Sequence, residues 1–188
     1  FLISIDTSKA VVAEAALAEG ADIVNDVTGL RGDGRMSDVV ARSGAGVVIM
    51  HMQGTPMTMQ SSPQYGDVVA EVGDFFRQAI SRAVSYGIDP MNIAIDPGIG
   101  FGKTHEHNRV LLRGLSAFAA AGRPLLLGLS RKSFLGWLAG SSRLEDRFWP
   151  GVALTGFCRE RGARIFRVHD VQPHREALRT TEAMLGDA

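Results

Sequence analysis

A chain of 188 residues that is 45% hydrophobic and 21% charged is long enough to bury one sizeable core and too apolar to remain disordered. Its 20 basic and 20 acidic residues leave zero formal charge, so no global field favours nucleic acid or an anionic membrane, and an anionic ligand must be gripped locally. No stretch reaches the roughly 18 apolar residues of a membrane span and no secretory signal opens the chain, while the single cysteine, Cys158, excludes a disulfide framework and reads as a core residue of a cytoplasmic protein.

Phe1 leads straight into an apolar strand that ends at Asp6, with no turn before it, so the chain reads as starting in mid-fold. Lys9 to Glu19 is rich in helix formers, with Thr7 or Ser8 placed to cap it and Gly20 to stop it. The unit then repeats: a strand from Ala21 to Val27, a glycine-punctuated loop, a short helix from Met36 to Arg42 and a strand from Val47 to Met52. Gln53 to Gly66 is breaker-rich and without a usable period, which makes it either a functional loop or a mobile spacer. Val69, Val72, Phe76, Ala79, Ile80 and Ala83 form one stripe, predicting a helix from Val68 to Tyr86 that faces the sheet.

Ile93 to Asp96 is a strand, Gly98 to Gly102 a glycine-rich turn, Thr104 to Ala121 a helix and Leu125 to Ser130 a strand. A short helix over Ser133 to Leu138, a helix from Glu145 to Arg161 with Pro150 tolerated near its first turn, a strand from Arg164 to Val168 and a helix from Pro173 to Leu185 complete the chain. Strands separated by helices, without hairpin signals, mean a parallel sheet with right-handed crossovers. A barrel is preferred over an open doubly wound sheet, because polar residues follow every strand rather than clustering at one switch point.

Those polar strand ends are the candidate site. Asp96-Pro97-Gly98-Ile99-Gly100-Phe101-Gly102-Lys103 is not a Walker loop, which needs four residues between its first Gly and Gly-Lys, and Lys103 stands where the dinucleotide fingerprint has its third glycine. What remains is a carboxylate at the end of a buried strand, suited to accept two parallel hydrogen bonds from a planar donor pair, followed by glycines that admit a flat ligand. Asp96 could otherwise merely cap the turn, and Phe101 is either a pocket wall or a packing residue. Asp6 and Asn25, on adjacent strand ends, could read the remaining edges of a heterocycle, whereas Asp26 faces the other way and is assigned a structural role. Ser130-Arg131-Lys132-Ser133 brings an ammonium to the pocket rim, and Arg167 and His169 are expected on one face of the last strand as an anion site. His51 reads equally as core or ligand contact. His105 and His107, two apart in a helix, do not share a face, so no metal site is assigned among the residues of this chain.

In this order, Asp6-Thr7, Asn25-Asp26, Met50-His51-Met52-Gln53-Gly54, Asp96 to Lys103, Ser130-Arg131-Lys132-Ser133 and Arg167-Val168-His169-Asp170 resemble the bacterial dihydropteroate synthases. The resemblance implies a TIM (β/α)8 barrel, of which this chain holds the last six βα units as one pterin-binding domain over residues 1–188. It implies condensation of 6-hydroxymethyl-7,8-dihydropterin pyrophosphate with 4-aminobenzoate to give 7,8-dihydropteroate and pyrophosphate. It places Asp6, Asn25, Met50, Asp96, Phe101, Gly128, Lys132 and Arg167 around the pterin, Arg167 and His169 on pyrophosphate, and Ser130 and Lys132 beside the aminobenzoate, with Asp96, Lys132, Arg167 and His169 carrying the chemistry. Mg2+ would be bound mainly through the diphosphate and through two leading βα units of the family that do not occur in this chain. The family also suggests a homodimer through its late helices, with small-molecule partners only. Two rival readings are a methyltetrahydrofolate-dependent methyltransferase, which has no need of Lys132 or the Arg167 and His169 pair, and a non-catalytic pterin-binding remnant.

Overall fold

The structure is a computed structural model that describes residues 1–186; the last two residues of the expected domain lie outside the described residues. Six strands, β1 (Ser4–Asp6), β2 (Ile23–Asp26), β3 (Gly46–Met50), β4 (Ile93–Asp96), β5 (Leu125–Leu127) and β6 (Ala163–Phe166), lie side by side in chain order. Every neighbouring pair is parallel. A sheet ordered strictly along the chain has no switch point, which is the connectivity of a (β/α) barrel and not of a doubly wound sheet. The sheet curls: Val48, Ala94 and Leu126, from three successive strands, pack together on its inner face with Ile23. Arg167, one residue past β6, reaches across the opening to Asp6 at the end of β1. The bore between these strands is a cavity of about 330 Å³.

Seven α-helices among the described residues, α1 (Ala10–Ala18), α2 (Met36–Ser43), α3 (Val68–Ser85), α4 (His105–Arg113), α5 (Ser133–Ala139), α6 (Phe148–Glu160) and α7 (Val171–Leu185), connect the strands or follow them. The two-residue alternation of a strand sends Val47 and Ile49 outward onto Met36, Val40, Ala79 and Ala83, while Val48 faces the bore. Ile95, Leu125 and Leu127 likewise meet Val72, Phe76 and Leu111, and Cys158 lies fully buried in the same cluster, where burial pushes its thiol up to about 12. Among the described residues no helix is long and apolar enough to cross a membrane.

The structure departs from the sequence reading at several ends. Neither Thr7 nor Ser8 caps α1 directly; Asp33, from the loop after β2, accepts from the Ala10 amide at 2.9 Å, a cap supplied from 23 residues away. The helix expected from Thr104 to Ala121 stops at Arg113 and resumes as a 3-10 helix over Leu115–Ala121. Gly114 marks the break because α3 crosses so closely that a Cβ there would sit 2.9 Å from Val69 Cγ2. The expected helix from Glu145 begins as a 3-10 turn, Glu145–Arg147, so Pro150 becomes the third residue of α6, where its missing N–H costs nothing. β3, β5 and β6 end at Met50, Leu127 and Phe166, two or three residues earlier than the sequence suggests, which moves Ser130, Arg167 and His169 onto loops.

Candidate active site

All the singled-out strand ends lie at the carboxyl edge of the sheet, and register sets their neighbours. Asp6 pairs with Asn25 across β1 and β2, and Met50 with Asp96 across β3 and β4. Asn25 Nδ2 donates to Asp6 Oδ1 at 2.5 Å, and Arg167 Nη2 donates to Asp6 Oδ2 at 2.6 Å. Asn25 Oδ1 is buried with no partner, an acceptor that a ligand donor would satisfy. The Arg167–Asp6 ion pair is open to solvent, with side chains 58% and 49% exposed, so it is worth at most about 1 kcal/mol and yields readily to a more highly charged ligand. Asp26 faces away, as expected: its carboxylate accepts from the Thr28 amide and hydroxyl and from the Leu30 amide, which holds Leu30 in the left-handed region at φ 63°.

Asp96 is buried, and its Oδ1 accepts from the Gly98 amide at 2.7 Å, so it does cap the turn. It also does more. Burial raises its carboxyl above the usual range, and the charges of Lys132, Lys103 and Arg167 together with the Gly98 amide pull it back, which places it in a cationic surround. The turn itself is pressed onto β3. Gly98 has φ 65°, and a Cβ on it would fall 2.0 Å from the His51 carbonyl oxygen and 3.2 Å from Met50 Cγ, so Met50 packs beneath the turn and only glycine fits above it.

Lys132 donates to the Ile99 carbonyl oxygen and lies 4.7 Å above the centroid of the Phe101 ring, a cation–π contact. Burial lowers the Lys132 pKa, an effect Asp96 opposes. A Cβ on Gly128 would lie in ordinary contact with Lys132 Nζ at 3.9 Å and Arg167 Cβ at 4.0 Å, so Gly128 lies beside both cations. Ser130 Oγ lies 2.9 Å from His169 Nδ1. Arg131, held at φ 62°, pairs with Asp170 at 3.2 Å. The expectation that Arg167 and His169 stand side by side on a strand face is corrected: both lie beyond β6, where the alternation no longer applies, and one turns to Asp6 while the other turns to Ser130.

Side chains outside the expected set complete the arrangement. Lys103 is 3% exposed, and its Nζ reaches His51 Nδ1 (2.9 Å) and the carbonyl oxygens of His51 (3.3 Å), Gly98 (3.1 Å) and Phe101 (2.9 Å). The open question on His51 is thereby resolved as a core residue: burial, then the Lys103 charge, push its imidazole down to about 3, so it stays neutral and accepts from Lys103. The sequence signal for Lys103 was its place where the dinucleotide fingerprint has its third glycine. The 53–66 loop is seated on the turn and is no bare spacer. The Gln53 side chain exchanges hydrogen bonds with the Gln64 backbone, Gln60 Nε2 donates to Gly100 O at 2.6 Å, and Tyr65 Oη donates to Gly102 O at 2.7 Å. His107 closes a capping box with Thr104, and the His105 ring stacks on Trp137.

The neutral buried imidazole has a consequence for stability. His51 titrates near 6.5 when unfolded and near 3 when folded, so between those values the unfolded chain binds the extra proton and stability falls as pH falls. The loss is expected to reach a few kcal/mol by about pH 4. Urea unfolding of wild type and His51→Gln at pH 7 and pH 4.5 checks it; an equal acid loss in both proteins removes His51 as the cause.

Comparison with known proteins gives a consistent result. A family described as pterin binding enzyme matches residues 1–169. The dihydropteroate synthases of Neisseria meningitidis serogroup C and Escherichia coli K12 are 42% and 43% identical to this chain over 184 and 183 residues. The alignments cover 97% of this chain but 65% and 64% of those proteins, so the chain spans just under two thirds of the curated relatives' length. Among solved structures, Thermus thermophilus dihydropteroate synthase in complex with 6HMPPP superposes with TM-score 0.93 at 48% identity, covering 98% of this chain and 73% of that one. The Stenotrophomonas maltophilia enzyme superposes with TM-score 0.95 at 45% identity, covering 100% and 70%.

Proposed function

Because the chain belongs to the pterin-binding enzyme family, within its dihydropteroate synthases, we propose that the protein carrying it condenses 6-hydroxymethyl-7,8-dihydropterin pyrophosphate with 4-aminobenzoate. The observation that carries this reading is the buried Asp96 carboxylate in its cationic surround, on the same sheet edge as the unpartnered Asn25 carbonyl. Asp96 would accept the paired N–H donors of the aminopyrimidinone, with Asn25 and Asp6 on its other edges, Met50 beneath, and Phe101 and Gly128 bounding the slot.

The reaction requires the methylene C–O bond to break, its electron pair leaving with diphosphate, and a C–N bond to form from the aniline lone pair as the amine loses a proton. Asp96 holds negative charge against the electron-poor pterin while that bond stretches. Arg167, released from Asp6, and His169 would take the developing diphosphate charge from two sides of the β6 end, with Lys132 between the two substrates and Ser130 beside the aminobenzoate. No protein nucleophile is required. Mg2+, held mainly through the diphosphate, would supply charge neutralisation there; among the described residues no group of three or more His, Cys, Asp or Glu side chains is placed to hold a metal ion by itself.

A methyltransferase using a pterin cofactor would leave Lys132, Arg167 and His169 without work. A homodimer through α6 and α7 and a cytoplasmic location go with this reading, and the exposed Trp149, Val171 and Met184 on those helices favour the former. The test is pyrophosphate release by the full natural protein. Release is expected only with both pterin pyrophosphate and 4-aminobenzoate present; no release with both present, despite pterin binding, would leave the non-catalytic remnant.

A further inference from the structure

Every carbonyl oxygen of the glycine turn accepts from a side chain. Gly98 and Phe101 accept from Lys103, Ile99 from Lys132, Gly100 from Gln60 and Gly102 from Tyr65. The turn is mostly buried, so its acceptors need protein partners, and side chains supply them at all five positions. Here four side chains from three parts of the chain hold one five-residue turn. Lys132 belongs to the substrate pocket already described, but Lys103 and Tyr65 do not. Lys103 lies beneath the turn, between it and the end of β3, and Tyr65 reaches the turn at Gly102, its ring 6.1 Å from that of His51 and edge-on to His107 at 4.9 Å.

We propose that Lys103 and Tyr65 are positioning residues that tie down the glycine turn at Gly98, Phe101 and Gly102 and so set where Asp96 and Phe101 meet the pterin. Three features support this. Glycine alone fits at Gly98 and Gly102, where a Cβ would come within 2.0 Å of His51 O and 2.5 Å of Gln53 O, so the turn has room to shift only away from β3. Lys103 is the group that opposes that shift, since it binds the turn through Gly98 and Phe101 and β3 through His51. Asp96 hangs from the same turn by its bond to the Gly98 amide, so a displaced turn displaces the carboxylate. Catalytic geometry must be held to well under an ångström, and groups behind the contacting residues provide that restraint.

This rests on the pterin reading above, and the test separates the two. In the full natural protein, Lys103→Met is expected to weaken binding of 6-hydroxymethyl-7,8-dihydropterin pyrophosphate, by calorimetry, about tenfold or more, while the KM for 4-aminobenzoate changes less than about twofold. Tyr65→Phe, which loses a single bond, is expected to weaken it about three- to tenfold. In both variants the amides of residues 99–102 should exchange hydrogen faster than in wild type, with the other strands unchanged. Folded variants that bind the pterin within twofold of wild type overturn the proposal. Wild-type protein that binds no pterin compound overturns the function and this proposal together. Should Lys103→Met fail to fold, Tyr65→Phe decides alone.

Discussion

Asp96→Asn is expected to weaken pterin binding by about 1000-fold, roughly 4 kcal/mol, because an amide cannot accept two parallel N–H bonds and carries no charge. The substitution isolates that effect. Asparagine keeps an oxygen that can still accept from the Gly98 amide, so the turn retains its cap, and the cations around position 96 are left without their carboxylate. Isothermal calorimetry with the pterin pyrophosphate, alongside a thermal melt, measures the loss directly; affinity within threefold of wild type would remove Asp96 from the pocket. Wild-type binding should also weaken as pH falls through the raised Asp96 pKa, since the acceptor pair needs the ionised carboxylate.

Lys132→Met is expected to lower kcat/KM by about 100- to 1000-fold, in the range seen when one charge-stabilising group is taken from an active site. Methionine keeps a stem of similar length over Phe101 and under Gly128, so packing changes little, and the losses are the ammonium and its bond to Ile99 O. A second readout follows from sign. Lys132 is foremost among the groups that pull the buried Asp96 carboxyl back down, so without it that carboxyl rises further and the acid limb of pterin binding moves to higher pH. Steady-state kinetics with both substrates and a pH series check the two effects. A variant within fivefold of wild-type kcat/KM, with an unmoved acid limb, would end the assignment of Lys132 to the reaction.

The site divides into residues whose place was readable and residues whose place was not. Asp6, Asn25 and Asp96 end apolar runs, and the structure sets them at the carboxyl ends of β1, β2 and β4 because a buried parallel strand tolerates polar groups only where it emerges from the sheet. Asp26 was legible for the same reason, by alternation. Alternation failed for Arg167 and His169, because it applies only while the strand persists and β6 ends at Phe166. Lys103 was visible only as the residue that spoils the dinucleotide fingerprint. Nothing in its neighbourhood names His51 as a partner, since the two are 52 positions apart and meet only when β3 and β4 pair.

By itself, then, the amino-acid order determined the parallel α/β architecture, the strand ends that bear chemistry and the family to which they belong, since each of these depends on periodicity and residue type within a few positions. Tertiary structure decided which groups those residues hold. Asp33 caps α1 from another loop, Arg167 crosses to Asp6 over 161 residues, and Lys103 gathers carbonyls from two strand ends. Such partnerships depend on register and on the curl of the sheet, which only the packing of strands against one another and against their helices can set.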